Sequence, residues 1–221
     1  MGGFFLSFEG IDGAGKTTQV EKLAQRLRSA GLNVVTVREP GGTILGEAVR
    51  NIVQDPVRTE IEPPAEACLY AAARAQLVAQ VILPALKEDK IVVADRFADS
   101  TVAYQGAGRG LPEELLNALN AMVTRGLVPD LTVIIDVPVE EALARLRGTR
   151  SSDRMEMLEP AFFERVRERY LSLAARSGSR FAVVDGTKSP EEVADQIFAL
   201  VRKGLVNCTT TSGDRITQSR G

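Results

Sequence analysis

The chain has 221 residues, 44% of them hydrophobic and 25% charged, with a formal net charge of −2 and an isoelectric point near 5.5. That length and apolar content suit one α/β domain with a full core, and the charge balance argues against an extended basic surface for nucleic acid. With no histidine and two cysteines, Cys68 and Cys208, a disulfide framework, a structural zinc site and histidine acid–base catalysis are all excluded. Chemistry must then run on carboxylates, Lys, Arg, hydroxyls and a hard cation. Cys68 lies in an apolar helical pattern and is expected in the core. No apolar run reads as long enough to span a bilayer, and no signal peptide precedes the first strand. A cytoplasmic protein with no membrane and no nucleic-acid partner is expected.

In chain order, five short apolar runs alternate with helical segments. The strands are predicted at 4–8, 33–37, 91–95, 131–137 and 181–185. Helices are predicted near 16–30, 44–54, 65–88, 112–126, 139–147, 160–176 and 190–203. Near-continuous apolar strands alternating with helices imply an α/β fold: a five-stranded parallel sheet with right-handed crossovers and ligands at the strands' carboxyl ends. Pro84 is expected to kink or end the long third helix. From residue 204 the apolar period is lost. The expected organisation is one α/β domain over 1–203 with a polar tail over 204–221.

The first strand runs into Gly10-Ile11-Asp12-Gly13-Ala14-Gly15-Lys16-Thr17, with Thr18 as a second hydroxyl. This fits G-x-x-x-x-G-K-[ST] at every fixed position, between a strand and a helix, the context the motif requires. Glycines let successive backbone N–H groups turn inward around a phosphate chain, and the helix N-terminus adds partial positive charge. Lys16 reaches the β- and γ-phosphates of a nucleoside triphosphate, and Thr17 holds Mg²⁺.

The second strand ends in Arg38-Glu39-Pro40-Gly41-Gly42-Thr43, and the helix after it bears Arg50. The third ends in Asp95-Arg96, which fits either a Mg²⁺-orienting carboxylate with a phosphoryl clamp or a local ion pair at a loop start. Ser100, Thr101, Tyr104 and Gln105 form a polar segment suited to reading a base, or an ordinary loop. Tyr70 and Arg74 share a helix face; the spacing alone favours a core position for the tyrosine, and a base stack with a carbonyl reader is the functional alternative. Arg145, Arg147, Arg150 and Arg154 fall around Gly148-Thr149 and Ser151-Ser152. They read either as a mobile lid closing cations over a transferring phosphoryl group or as a charge-balanced loop.

Together these segments resemble the bacterial type of thymidylate kinase. The likeness rests on Phe8 to Thr18, Arg38 to Thr43, Tyr70-Ala71-Ala72-Ala73-Arg74, Asp95-Arg96-Phe97, Ser100-Thr101, Ala103 to Gly106 and Asp153-Arg154-Met155-Glu156, in order over residues 4–203. It implies a homodimeric, Mg²⁺-dependent P-loop kinase moving the γ-phosphoryl group of ATP to dTMP. Carried over by position, it implies Lys16 and Thr17 on the ATP phosphates and Mg²⁺, and Asp12 facing the acceptor. It implies Glu39, Pro40 and Arg50 on the acceptor side, with Arg50 and Arg96 on the dTMP phosphate. Tyr70 stands where an aromatic, often Phe, stacks on thymine; Arg74, Ser100 and Gln105 stand at base-reading positions, and Tyr104 against the sugar 2′ position.

One subgroup of the family places its catalytic arginine in the phosphate loop, at the position held here by Gly13. This chain resembles the other subgroup, with lid arginines over about 147–157: Arg147, Arg150 and Arg154. Asp12 for Glu, Phe97 for Tyr or His, and Tyr70 for Phe depart from the common pattern. Three alternatives share parts of this reading. Another nucleoside monophosphate kinase would change the base reader. A deoxynucleoside kinase would need a carboxylate base, for which Glu39 is available. A GTP-switched module would need an N-K-x-D segment, which Asp185-Gly186-Thr187-Lys188 does not supply.

Overall fold

The computed structural model describes residues 3–147, 154–155, 158–176 and 178–215, with side chains described through 205. Five parallel strands form one sheet in the order β2-β3-β1-β4-β5. They are β1 (Phe4–Glu9), β2 (Val34–Arg38), β3 (Ile91–Asp95), β4 (Leu131–Asp136) and β5 (Phe181–Asp185). β1 lies in the middle, with Phe8 level with Asp95 on one side and Val133 on the other. All of β1 is buried, whereas the edge strands β2 and β5 are partly open.

Side chains alternate across a strand, so β1 serves two cores. Phe4, Leu6 and Phe8 pack on one face with Leu23 and Leu27 of α1 (Lys16–Ser29), Val166 of α8 (Pro160–Arg176) and Ile197 of α9 (Pro190–Arg215). Phe5 packs on the other with Leu77, Val92 and Phe97, its ring 4.9 Å from that of Phe97 in an edge-on contact. Between the strands run α2 (Ile44–Gln54), α3 (Pro63–Leu77), α4 (Leu83–Lys87), α5 (Ala98–Thr101), α6 (Glu113–Thr124) and α7 (Val139–Leu146).

Four expectations are corrected. α3 and α4 are joined without a break by a π-helical turn, Val78–Ile82. The wider turn carries the helix past Pro84, which has no N–H to donate, instead of ending it. The polar segment after Arg96 is helical: α5 passes into a π-helical stretch, Val102–Gly108. The final helix runs to Arg215, because Val193, Ile197, Val201 and Leu205 continue one apolar stripe past Gly204. Cys68 is exposed on α3 rather than buried.

A fifth correction concerns membranes. Pro63–Lys87 is by length and composition long and apolar enough to cross a bilayer. The charged side chains within it, Glu66 and Arg74, are, however, buried in ion pairs with residues of other elements, with Lys87 at its very end, and its apolar residues Leu77, Val78 and Ile82 pack on the sheet. It is a core helix of this domain.

Candidate active site

A cleft of about 1280 Å³ opens at the carboxyl ends of the strands. The phosphate loop forms its floor. Gly10, Gly13 and Gly15 all have positive φ (137°, 81° and 92°), a region open to glycine at no steric cost. At Gly13 the restriction is also spatial, since a Cβ there would meet the Ala142 carbonyl oxygen of α7 at 2.1 Å. Any side chain at that position would require α7 to shift. Gly15 is the left-handed N-cap of α1, whose first turn holds no acidic residue, so its free N–H groups face the cleft as an anion site.

Lys16 is buried and donates from Nζ to the Ile11 carbonyl at 2.8 Å. Burial, with the nearby Arg96 charge, lowers its pKa to about 8 against the pull of Asp12, Asp95 and Glu9. Thr17 donates from Oγ1 to Asp95 Oδ2 at 2.6 Å. These two hard oxygens suit Mg²⁺, which takes one or two protein oxygens and completes its shell with water and substrate phosphates. No cluster of three or more carboxylates, cysteines or histidines occurs among the described residues, so an all-protein cage is not the geometry here.

Asp95 therefore pairs with the loop rather than with its neighbour. Arg96 turns the other way and donates to Asp12 Oδ1 at 2.6 Å, to the Gly10 carbonyl at 2.9 Å and to the Tyr104 hydroxyl at 3.0 Å. Tyr104 in turn donates to Asp12 Oδ2 at 2.8 Å. Burial raises the Asp12 pKa, but Arg96, Lys16 and the Tyr104 bond outweigh it and leave it at about 2. Arg96 sits at φ 73°, a strained conformation for an arginine. The turn is held by Arg96 N–H donating to the Phe8 carbonyl and Phe97 N–H donating to Glu9 Oε1. Glu9 also accepts from Ser100 and Tyr170, at 2.6 and 2.9 Å. Burial, with the charge of Asp99, pushes its pKa up to about 7.

Ser100, expected to read a base, lines the cleft and is also tied to Glu9 and Arg96. Glu9 and Tyr170 were not singled out by sequence. For Glu9 the available signal was a carboxylate closing an apolar strand, as at Asp95; Tyr170, on a helix far along the chain, had none.

Away from the phosphate loop the cleft is built on Arg74, which is 1% exposed. It donates to Glu39 from Nε, with Nη2 in ion-pair contact with the same carboxylate, to Thr101 and Asn120 from Nη1, and to the Phe97 carbonyl from Nη2 at 3.2 Å. Each of its three guanidinium nitrogens therefore donates to a protein partner. Glu39 is buried beside it with Oε1 lacking any partner. Tyr70 lines the cleft, half-buried, and packs on Val49, Val53 and Ala73, so it serves the core while facing the cavity. Arg50 donates to the Pro40 carbonyl at 3.1 Å. Thr18, Pro40, Arg50 and Gln105 all line the cleft, whereas Gly10 and Ile11 lie below its surface.

Glu66, also missed by sequence, is fully buried on α3. Its Oε1 accepts from Gln105 at 2.8 Å and its Oε2 from Arg109 and Arg154 at 3.0 and 2.5 Å. Arg154 donates further to the Val53 carbonyl, and its N–H to that of Gln54. This arginine is buried against α2 and α3 and does not line the cleft. Arg147 follows α7 and is exposed, and Arg150 lies outside the described residues. Of the lid cluster, Arg145 reaches the cleft wall, donating to Glu141 and to the Gly186 carbonyl.

Residues 8–197 match the Thymidylate kinase family. The chain is 50% identical over 194 residues to a thymidylate kinase of Pelotomaculum thermopropionicum, covering 87% of this chain and 90% of that one. It is 48% identical over 199 residues to the thymidylate kinase of Deinococcus radiodurans, covering 90% and 96%. A crystal structure of thymidylate kinase from Ehrlichia chaffeensis superposes with a TM-score of 0.75 at 34% identity, covering 91% of this chain and all of that one. With the phosphate loop, the Asp12–Arg96–Tyr104 centre and the Arg74 pocket on one cleft, the chain belongs to the thymidylate kinase family.

Proposed function

We propose that this cleft carries out the reaction of its family, ATP-dependent phosphorylation of dTMP to dTDP, with the donor on the phosphate loop and the acceptor in the Arg74 pocket. The observation that carries the assignment of roles is the Arg96 hub: one partly buried guanidinium tied to the phosphate loop through Gly10 and Asp12 and to the acceptor side through Tyr104.

The acceptor phosphate is already largely dianionic at neutral pH, its second pKa being about 6, so no general base is needed. The task is to hold two polyanions in line and offset their repulsion. Lys16 binds the β- and γ-phosphates, exchanging its bond to Ile11 for them. Thr17 and Asp95 would hold Mg²⁺, which supplies charge neutralisation across the donor phosphates. Arg96 and Arg50 bind the acceptor phosphate. Tyr104 lies against the sugar 2′ position, Tyr70 stacks on the base, and Arg74 reads a base carbonyl by sharing its longest bond, that to Phe97. Gln105 reads the base edge. Arg147 and Arg150 close over the transferring group, while Arg154 keeps its buried pair with Glu66.

We read the protein as a cytoplasmic homodimer. Leu115 and Met122 on α6 are 67% and 70% exposed, an apolar stripe suited to a self-complementary interface. Met122→Glu is expected to shift the protein to monomer in analytical ultracentrifugation.

The reaction is tested by ADP release from ATP and Mg²⁺ with dTMP, dUMP, AMP and thymidine as parallel acceptors. Release dependent on dTMP is expected. Release equal with AMP or thymidine would move the substrate, and release independent of any acceptor would overturn the kinase reading.

A further inference from the structure

Glu66 is a buried carboxylate that the reaction itself does not use. Every group facing it is a donor: Gln105 Nε2 and Arg109 Nε on Oε1, Arg109 and Arg154 on Oε2. Burial raises its pKa, but the bonds from Arg109 and Gln105 outweigh that and leave it lowered. It is therefore an ionised, acceptor-only partner.

Such a partner fixes the orientation of Gln105. An amide beside an acceptor-only group must turn its NH₂ toward it, which sends its carbonyl oxygen the other way. Gln105 lines the cleft, and no described residue donates to its Oε1. The side chain is thus presented to a bound base as an acceptor and not as a donor.

We propose that Glu66 is the positioning residue that sets base specificity, by locking the Gln105 amide with its oxygen toward the acceptor base. An acceptor there matches the N3–H of thymine. It opposes the N3 lone pair of cytosine, so a cytosine nucleotide meets two acceptors face to face. The inference rests on Gln105 reading the base, as proposed above.

The test is steady-state kinetics with dTMP and dCMP on Glu66→Gln, Gln105→Ala, Gln105→Glu and the swapped pair Glu66→Gln/Gln105→Glu. In Glu66→Gln the amide oxygen stays with the two arginines at the Oε2 position. Its NH₂ takes the Oε1 position, gives up the 3.3 Å bond from Arg109 Nε, faces Gln105 and turns that amide over, so that a donor points into the cleft. The expected result is a KM for dTMP raised about tenfold or more with kcat near wild type, and a correspondingly smaller preference for dTMP over dCMP, as when a polar group loses its match. The swapped pair restores an acceptor facing the base and is expected to recover the dTMP preference. It also recovers Gln105→Glu alone, in which two carboxylates meet, and this arm decides the matter even if Glu66→Gln folds poorly. A merely structural role for Glu66 would lower the melting temperature without moving the dTMP-to-dCMP ratio, and that outcome overturns the proposal. If Gln105→Ala raises the KM for dTMP but Glu66→Gln leaves KM and ratio unchanged, the locking role is wrong and base reading by Gln105 stands. If Gln105→Ala leaves the KM for dTMP unchanged, both are wrong.

Discussion

The two halves of the cleft are built by opposite means. The phosphate side is made from consecutive residues and mostly from backbone: three glycines at positive φ, a bare helix N-terminus and Lys16. The acceptor side is made from side chains brought from afar. Arg74 of α3 meets Glu39 after β2, Thr101 of α5 and Asn120 of α6, while Glu66 joins Gln105, Arg109 and Arg154. Binding a phosphate chain needs N–H groups whose direction the local backbone sets. Discriminating a base needs donors and acceptors fixed in orientation, and burying the charges that do so demands partners from several elements.

The contrast predicts that the two halves fail differently. The largest effect expected is at Lys16, where Lys16→Ala should reduce kcat by at least about 10²-fold, as loss of a charge-stabilising donor does, with little change in melting temperature. Unaltered turnover at saturating ATP and dTMP would break the assignment of the phosphate side. Next comes Arg74→Ala, which leaves Glu39 as an unpaired buried charge. It should cost about 3–5 kcal/mol of stability and raise the KM for dTMP, read by denaturant unfolding and kinetics together. Loss of turnover with neither change would mean that the pocket is not organised on this pair.

Glu9 lies between the halves, under Arg96. Its folded pKa of about 7 stands above the usual 4.5, so the folded state holds an extra proton between those values. Its contribution to stability is full below about pH 4.5 and declines as pH rises toward 7. Glu9→Gln should flatten that decline in urea midpoints measured at pH 4.5, 6 and 7.5; an unchanged slope would show that other groups titrate there. The smallest effect is expected at Arg145, whose pair with Glu141 is partly exposed. Glu141→Ala should cost under about 1 kcal/mol, and a larger loss in the unfolding midpoint would make α7 part of the cleft's rigid frame.

Features set by neighbouring residues are legible in the chain itself. The phosphate loop, the five strands and their parallel arrangement follow from local spacing, because glycine conformations and apolar periods are properties of short segments. The resemblance carried by several such segments also marks the acceptor pocket. Longer-range features are not legible in this way. Asp95 and Arg96 are adjacent yet pair with different partners, Thr17 and Asp12. Cys68 falls in an apolar pattern but lies on an open face of α3. The final helix extends beyond Gly204 because Leu205 finds the core.

By itself the sequence determined the fold class, the nucleotide-binding loop and the set of side chains available for phosphoryl transfer. Only the tertiary structure decided their connections: Glu9 beneath Arg96, Tyr170 from a distant helix joining it, and Glu66 linking Gln105 to Arg154. The reason is physical. A buried charge is stable only where donors converge on it, and that convergence depends on how helices pack across the sheet, which no stretch of neighbouring residues specifies.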